Sequence, residues 1–364
     1  MNRRSFLKQS LTVSTGLLVA SRLPAPKAAE ASTENSKWRT FEVTTKVEIL
    51  EPKGASKTWL PVPLLTDTDY FKRIGDDWTG NAVNMGNFRN GKYGAGMVYA
   101  EWKEGEKAPV LQLTSRFMTR DRQIDFKKPK AVKEDPDVLK YYLQPSTWIP
   151  TDGIVADTAR VATLGAKRDV DKARAIYEWI VDNTFRDPKV KGCGIGDIRG
   201  MLESRNLGGK CADLNALYVG LARASGLPAR DVYGVRVANS ADFKSLGKAG
   251  DISKAQHCRA EVYLSNYGWV PVDPADVRKV VLEETPEGLP LTDPQVKKAR
   301  AKLFGAWEMN WLAFNYDHDV KLPNSASKPI AYFMYPQGET AEGKKDSLDP
   351  ESFRYTMTSK ELTV

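Results

Sequence analysis

The stretch 208–226, GGKCADLNALYVGLARASG, constrains the fold of this chain more than any other segment. It is apolar on nearly every side, and its main polar exceptions are Asp213, Asn215 and Arg223. Because a helix that is apolar all round must be buried, the stretch predicts a central core helix. The paired glycines permit a tight turn into its first residue, and Gly226 is a typical helix end.

Cys211 stands in the first turn of this predicted helix. A helix N-terminus presents unpaired N–H groups and a partial positive charge, which favour the thiolate over the thiol. Cys211 is therefore a candidate nucleophile, and its backbone N–H is a candidate oxyanion donor. A buried cysteine that only packs is the alternative. Asn206 could supply a second oxyanion donor, or it could hydrogen-bond within its own turn.

A histidine and an aspartate occupy the far ends of a predicted hairpin. Residues 257–264 and 269–273 read as strands, and 265–268 carries a turn signal between them. The hairpin therefore brings His257 and Asp273 together. A histidine that is held by a carboxylate suits the base and acid that a thiol nucleophile needs. A surface histidine near a surface aspartate is the alternative.

A Cys on a helix, followed by His and Asp on adjacent strands, is the papain-like order. The sequence strongly resembles the bacterial transglutaminase-like family in GGKCADLNAL (208–217), HCRAEVY (257–263) and GWVPVDP (268–274). The resemblance implies an α+β fold with a nucleophile helix packed on an antiparallel sheet. It also implies Cys211 as nucleophile, His257 as general base and acid, and Asp273 as the residue that orients His257.

The resemblance further implies acyl transfer through a thioester. If water resolves the thioester, the protein is a peptidase-like amide hydrolase, which the resemblance favours. If an amine resolves it, the protein is a glutamine transamidase. A non-catalytic binding module with the same fold is a third hypothesis. The expected partner is a peptide or protein substrate, which includes components of the cell envelope.

The chain holds three cysteines and two histidines, without a metal-binding spacing. We therefore predict no metal and no cofactor. Cys258 alternates with His257 along its strand and is expected to point away from the catalytic face. A Cys193–Cys258 bridge would then leave Cys211 as the free thiol, and two buried free thiols are the alternative. His318, between two aspartates, is expected to be a solvated residue at a strand end.

The first 31 residues read as an export signal. Arg3 and Arg4 precede a modest apolar run at 11–20, and small residues near position 31 offer a cleavage site. This pattern predicts a twin-arginine signal and a periplasmic or secreted protein, and a Sec-type signal is the alternative. The run is too short to span a bilayer, so no stable membrane insertion is expected.

The remaining chain divides into four predicted parts: a β-rich, sandwich-like domain at 32–125, a linker at 126–150, the catalytic domain at 151–320 and a C-terminal β extension at 321–364. In the first part, short strands alternate with turn signals. The predicted strands are 38–50, 57–61, 82–88, 96–102 and 110–119.

Charge argues against a nucleic-acid partner. The full chain has a formal net charge of +8, and residues 1–31 hold five basic residues and one acid. The rest of the chain is therefore near +4, without a basic stripe that is interleaved with aromatic residues.

Overall fold

The computed structural model describes residues 36–90 and 94–363, so the predicted export signal with Arg3 and Arg4 lies outside the described residues. The first strands are β1 (Arg39–Ile49), β2 (Ser56–Pro61), β3 (Phe71–Gly80), β4 (Asn84–Arg89), β5 (Gly96–Trp102), β6 (Val110–Thr119) and β7 (Arg122–Gln123). The α-helices of the described residues follow these strands and are α1 (Pro136–Tyr141), α2 (Gly153–Ala162), α3 (Asp169–Asn183), α4 (Ile198–Ser204), α5 (Cys211–Ala224), α6 (Pro274–Glu283) and α7 (Pro294–Lys302).

The later strands lie between and after these helices. They are β8 (Phe185–Arg186), β9 (Gly208–Gly209), β10 (Ala229–Arg236), β11 (Gly250–Asp251), β12 (Gln256–Leu264), β13 (Gly268–Val272), β14 (Ala306–Trp307), β15 (Trp311–Asn315), β16 (His318–Val320), β17 (Ile330–Tyr332), β18 (Gln337–Thr340), β19 (Gly343–Lys344) and β20 (Phe353–Leu362). None of the helices in the described ranges is long and apolar enough to cross a membrane.

Two five-stranded sheets form a β-sandwich. Their orders are β11-β20-β1-β6-β3 and β19-β18-β2-β5-β4. Alternate residues of β1 face inward, and one apolar core joins the two sheets. Its members include Val47, Leu60, Trp102, Leu111 and Phe353. The C-terminal strand β20 thus pairs with β1 and closes the sandwich that the N-terminal strands begin.

A second core surrounds α5. A four-stranded antiparallel sheet, β13-β12-β10-β15, packs against this helix, and α2, α3 and α6 also contact it. Every residue from Cys211 to Arg223 is buried. The Lys210 N–H donates to Asp213 Oδ2 at the start of α5, and Gly226 ends it with a φ of 80°. The predicted α+β class, with a buried helix on an antiparallel sheet, is confirmed.

Two segments differ in local detail from the sequence-based prediction. Strand β3 was not predicted, because this sheet-edge strand is largely exposed and a bulge between Arg73 and Gly75 breaks its alternation. In the segment 126–150, predicted as a linker, helix α1 forms, and Tyr142 and Ile149 are buried.

Candidate active site

Cys211 is the first residue of α5 and lies at a cavity of about 740 Å³. Only 3% of its surface is exposed. Within the described residues, its backbone N–H carries no hydrogen bond, whereas the next N–H, of Ala212, donates to the Cys193 carbonyl at 2.9 Å. The free N–H points to one donor for an oxyanion beside the sulfur.

Asp213 holds the glycine-rich loop that precedes the helix. Its Oδ1 accepts hydrogen bonds from the backbone N–H groups of Ile195 and Gly196, at 3.0 and 2.9 Å. Gly194 has a φ of 93°, and a Cβ at this position would collide with the Asp213 carboxylate. Asp213 therefore fixes the loop that carries Cys193 against the start of α5.

The hairpin of β12 and β13 brings His257 and Asp273 into contact. The strands pair with Ala260 opposite Val272, and Asp273 directly follows β13. His257 Nε2 lies 2.7 Å from Asp273 Oδ2, and both residues are buried. With Nε2 bonded to Asp273, the other ring nitrogen, Nδ1, is available to Cys211, which lines the same cavity and whose pKa His257 lowers.

Further buried polar residues complete this cluster. Asp276 Oδ2 lies 3.3 Å from His257 Nε2, and Asp276 Oδ1 accepts from Arg236 at 2.6 Å. The Asn215 side-chain amide donates to Asp273 Oδ1 at 3.3 Å and to the Cys258 carbonyl at 2.8 Å. Asn215 thus ties α5 to both strands of the hairpin.

The electrostatics favour a protonated His257. Burial and the Arg236 charge lower its pKa, but Asp276 and Asp273 outweigh them and raise the pKa from 6.5 to about 9. A histidine with a raised pKa stabilises the fold fully below its unfolded pKa, and this contribution is lost as pH rises through about 9. These neighbouring charges therefore favour the imidazolium form of the ring at neutral pH.

Three thiols converge at the start of α5. The neighbouring Cys193 and Cys258 thiols, and then His257, hold the pKa of Cys211 well below its usual range against the effect of burial. Cys258, which was expected to point away from the catalytic face, lies close enough to Cys211 for the two thiols to affect each other's pKa. Cys193 and Cys258 are free thiols in the structure, not a disulfide. The Cys193 sulfur instead lies 3.3 Å from the Gln256 carbonyl and contacts Cys211.

Asn206 and His318 do not join this group. Asn206 is exposed, and its side-chain oxygen accepts from the Gly208 N–H at 3.2 Å, so it satisfies its own turn. His318 is not solvated as predicted: its Nε2 lies 3.2 Å from Asp231 Oδ2, and its Nδ1 lies 3.2 Å from the Tyr233 hydroxyl. The buried Asp231 and the Tyr233 ring hold it at the edge of the core.

His257, Asp273 and Asp276 offer ligand atoms within 4.8 Å of one another, a spacing that a metal ion could use. The guanidinium of Arg236 is already bonded to Asp276, and the Arg259 Nε lies 3.7 Å from Asp273 Oδ2. Because two guanidinium groups face the same carboxylates, we interpret the cluster as an ion-paired network that holds His257.

The sequence prediction missed Asp276, Arg236 and Asn215 as parts of the site. Asp276 had one sequence signal, since it lies three residues after Asp273 at the start of a helix and shares its first turn. Arg236 had none, because only the pairing of β10 with β12 brings it to His257.

This arrangement, a buried helix with a cysteine at its start beside a His–Asp pair on an antiparallel sheet, defines a papain-like core. Residues 156–274 match the Transglutaminase-like superfamily. An uncharacterized protein of Haemophilus influenzae is 34% identical over 349 residues, which are 90% of this chain and 93% of the relative. The solved structure of a candidate cysteine protease of Cytophaga hutchinsonii shares the fold with a TM-score of 0.51 at 18% identity, over 89% of this chain and 99% of that chain. The chain belongs to the transglutaminase-like superfamily.

Proposed function

We propose that this chain is an exported cysteine-nucleophile amide hydrolase that works through a thioester acyl-enzyme. One observation carries the proposal: Cys211, with its lowered pKa, opens a buried helix at a cavity and contacts a His257 that Asp273 orients. A thiolate beside an imidazolium is the reactive form of such a pair.

Acylation uses these groups in sequence. The Cys211 thiolate attacks the carbonyl carbon of an amide, and a C–S bond forms while the backbone N–H of Cys211 stabilises the oxyanion. The His257 imidazolium gives its proton to the amide nitrogen as the C–N bond breaks. The amine leaves, and the acyl group stays on Cys211 as a thioester.

Deacylation returns the enzyme to its starting state. His257, now neutral, takes a proton from water, whose oxygen attacks the thioester carbon. The C–S bond breaks, a carboxylic acid leaves, and the thiolate–imidazolium pair is restored. We take water as the acceptor in line with the name of the structural relative from Cytophaga hutchinsonii. A primary amine in place of water would make the chain a transamidase.

The test is turnover of a mixed peptide library, with products and acyl-enzyme followed by mass spectrometry. We expect cleavage that Cys211→Ala lowers by about 10⁴-fold or more in kcat/KM, because the variant lacks the nucleophile. Asn206→Ala is the matched control and should stay within about twofold, since Asn206 lies away from the cavity.

The same reactions separate the rival functions. With labelled cadaverine present, label incorporation that exceeds hydrolysis would favour the transamidase. Neither turnover nor an acyl-enzyme with any library would favour the non-catalytic binding module.

Export rests on the paired arginines before the apolar run at 11–20. Cell fractionation tests it: the Arg3→Lys/Arg4→Lys variant should remain in the cytoplasm while the parent is exported. Export of both to the same extent would instead indicate a Sec-type signal.

A further inference from the structure

We propose that the cavity beside Cys211 selects acidic peptides, in which Asp or Glu side chains or a terminal carboxylate flank the scissile amide. The proposal rests on the proposed function, in which Cys211 attacks an amide. It adds the chemical class of the substrate.

The charge of the cavity lining is strongly unbalanced. Seven lysine and arginine residues line it, against a single acidic residue, Asp251. The whole chain is much closer to balance, with 54 basic and 46 acidic residues. Positive charge is therefore concentrated at the cavity.

Three of the seven basic residues have acidic partners. Arg236 is bonded to Asp276, and Arg186 and Lys279 share Glu283. Burial, and then the neighbouring Arg236, lower the pKa of Lys279. A carboxylate that entered the cavity near Lys279 would offset both of these effects.

The other four, Lys191, Lys210, Lys248 and Lys254, make no ion pair within the described residues. Lys191 and Lys210 lie on the segments that lead to Cys193 and Cys211. Lys248 and Lys254 lie on the segment that leads to His257, where β11 pairs with β20. These four lysines thus line the cavity on the chain segments that lead to Cys211 and to His257, and Lys248 and Lys254 act on the charge of Asp251 between them.

Such a cavity acts on charged ligands in two ways. Protein walls of low dielectric focus the field of the lysines, which raises the local concentration of anions and repels cations. Each ammonium can also bond a carboxylate directly once the peptide is seated. The side chains of Leu348, Tyr335 and Tyr355 line the same cavity and offer apolar contact for the rest of the peptide.

The first experiment measures cleavage of three fluorogenic peptide sets that differ only in having Glu, Gln or Lys beside the scissile amide. We expect kcat/KM to fall from Glu to Gln to Lys, with about tenfold or more between the extremes at low salt. Addition of 0.5 M NaCl should shrink this ratio, since salt screens charges beyond about 4 Å at that strength. Equal rates for all three sets would overturn the proposal.

The second experiment removes two of the unpaired lysines with a matched control. Lys248→Gln/Lys254→Gln should lower kcat/KM for the Glu set by about tenfold and leave the Gln set within about twofold. The control, Lys103→Gln/Lys107→Gln, removes two exposed lysines from the turn between β5 and β6. An equal loss in the control would contradict a local role for the cavity.

A binding measurement keeps this proposal separate from the proposed function. Dye-labelled Glu, Gln and Lys peptides are titrated with the Cys211→Ala variant, and fluorescence anisotropy is read. If the Glu peptide binds tightest while no peptide is ever cleaved, the substrate class survives and the hydrolase proposal fails. If a labelled oligonucleotide or polyphosphate binds as tightly as the Glu peptide, the lysines form a general polyanion surface and the proposal is wrong.

Discussion

The two ends of strand β12 carry buried charged clusters that serve different purposes. At the first end, His257 lies between two carboxylates, in contact with a thiol and beside the cavity. Towards the other end, Glu261 is fully buried between the guanidinium groups of Arg122 and Arg230. The Tyr70 hydroxyl also donates to this carboxylate, at 3.2 Å.

Aromatic rings close the second cluster. The Arg230 guanidinium stacks at 3.9 Å on Trp269 and at 3.8 Å on Tyr316, and Arg122 lies 4.5 Å from the centre of the Tyr70 ring. Burial raises the pKa of Glu261, but Arg230 and Arg122 outweigh it and hold the pKa below its usual range.

The difference shows that a buried charge on this strand does not by itself indicate chemistry. Glu261 has partners for its charge and no nucleophile beside it, so its cluster serves the fold. His257 has a pKa that neighbours move to about 9, a thiol in contact and access to a cavity. These three features together, and not burial, distinguish the candidate active site.

The largest expected effect on stability comes from Glu261→Gln. The variant leaves two guanidinium groups buried without their counter-charge, so we expect a loss of about 3–5 kcal/mol in the free energy of unfolding. Urea denaturation measures it. Glu48→Gln, which breaks only the exposed pair with Lys46, is the control and should change stability by less than about 1 kcal/mol.

The contrast between the two clusters would be wrong if the Glu261→Gln protein stayed folded with unchanged stability but no longer cleaved peptides. That result would place the second cluster in the reaction.

The next largest effect is expected from Asp276→Asn, which removes a negative charge from beside the His257 imidazolium. The pKa of His257 should fall below about 9, because the charged ring loses a stabilising neighbour. The alkaline limb of the pH profile of kcat/KM should therefore move to lower pH. Asp251→Asn, at the rim of the cavity, is the control and should leave the limb in place.

If Asp273→Asn shifts the alkaline limb but Asp276→Asn does not, the prediction is wrong. Asp276 would then serve only as the ion-pair partner of Arg236.

A smaller effect is expected from Cys193→Ala, which removes the neighbouring thiol that lowers the pKa of Cys211 most. The acid limb of the pH profile should move to higher pH, and alkylation of Cys211 at pH 6 should slow by about tenfold, because a smaller fraction of the thiol is ionised. Cys258→Ala should act in the same direction to a lesser extent. If neither variant changes the pH profile or the alkylation rate, the start of α5 and His257 alone account for the lowered pKa of Cys211.

Local patterns made much of the fold predictable. The predicted strand 96–102 agrees with Gly96–Trp102, and 110–119 with Val110–Thr119, because turn signals bound them. The buried helix agrees with Cys211–Ala224 for the same reason, since glycines flank it. Strand β3 escaped prediction because an edge strand with one exposed face has little apolar pattern to show.

Only those parts of the site that lie within one local sequence motif could be predicted. The hairpin brings His257 to Asp273, and the sequence contains that information in two strands and a short turn. The proximity of Cys258 to Cys211 could not be predicted, because strand alternation describes an isolated strand and ignores how α5 packs on it. Arg236 and Asp276 are 40 residues apart in the sequence, so no local sequence pattern could predict the ion pair between them.

The most direct test of the central claim, a Cys211 thiolate paired with a His257 imidazolium, is iodoacetamide labelling against pH with mass mapping of each cysteine. We predict that Cys211 is alkylated rapidly well below pH ~8.5, the value of a free thiol, and that His257→Ala moves its labelling to higher pH. Cys193 and Cys258 should stay unlabelled, because burial and the neighbouring Cys211 raise their pKa. A Cys211 that reacts only above pH ~8.5, or labels identically without His257, would contradict the account.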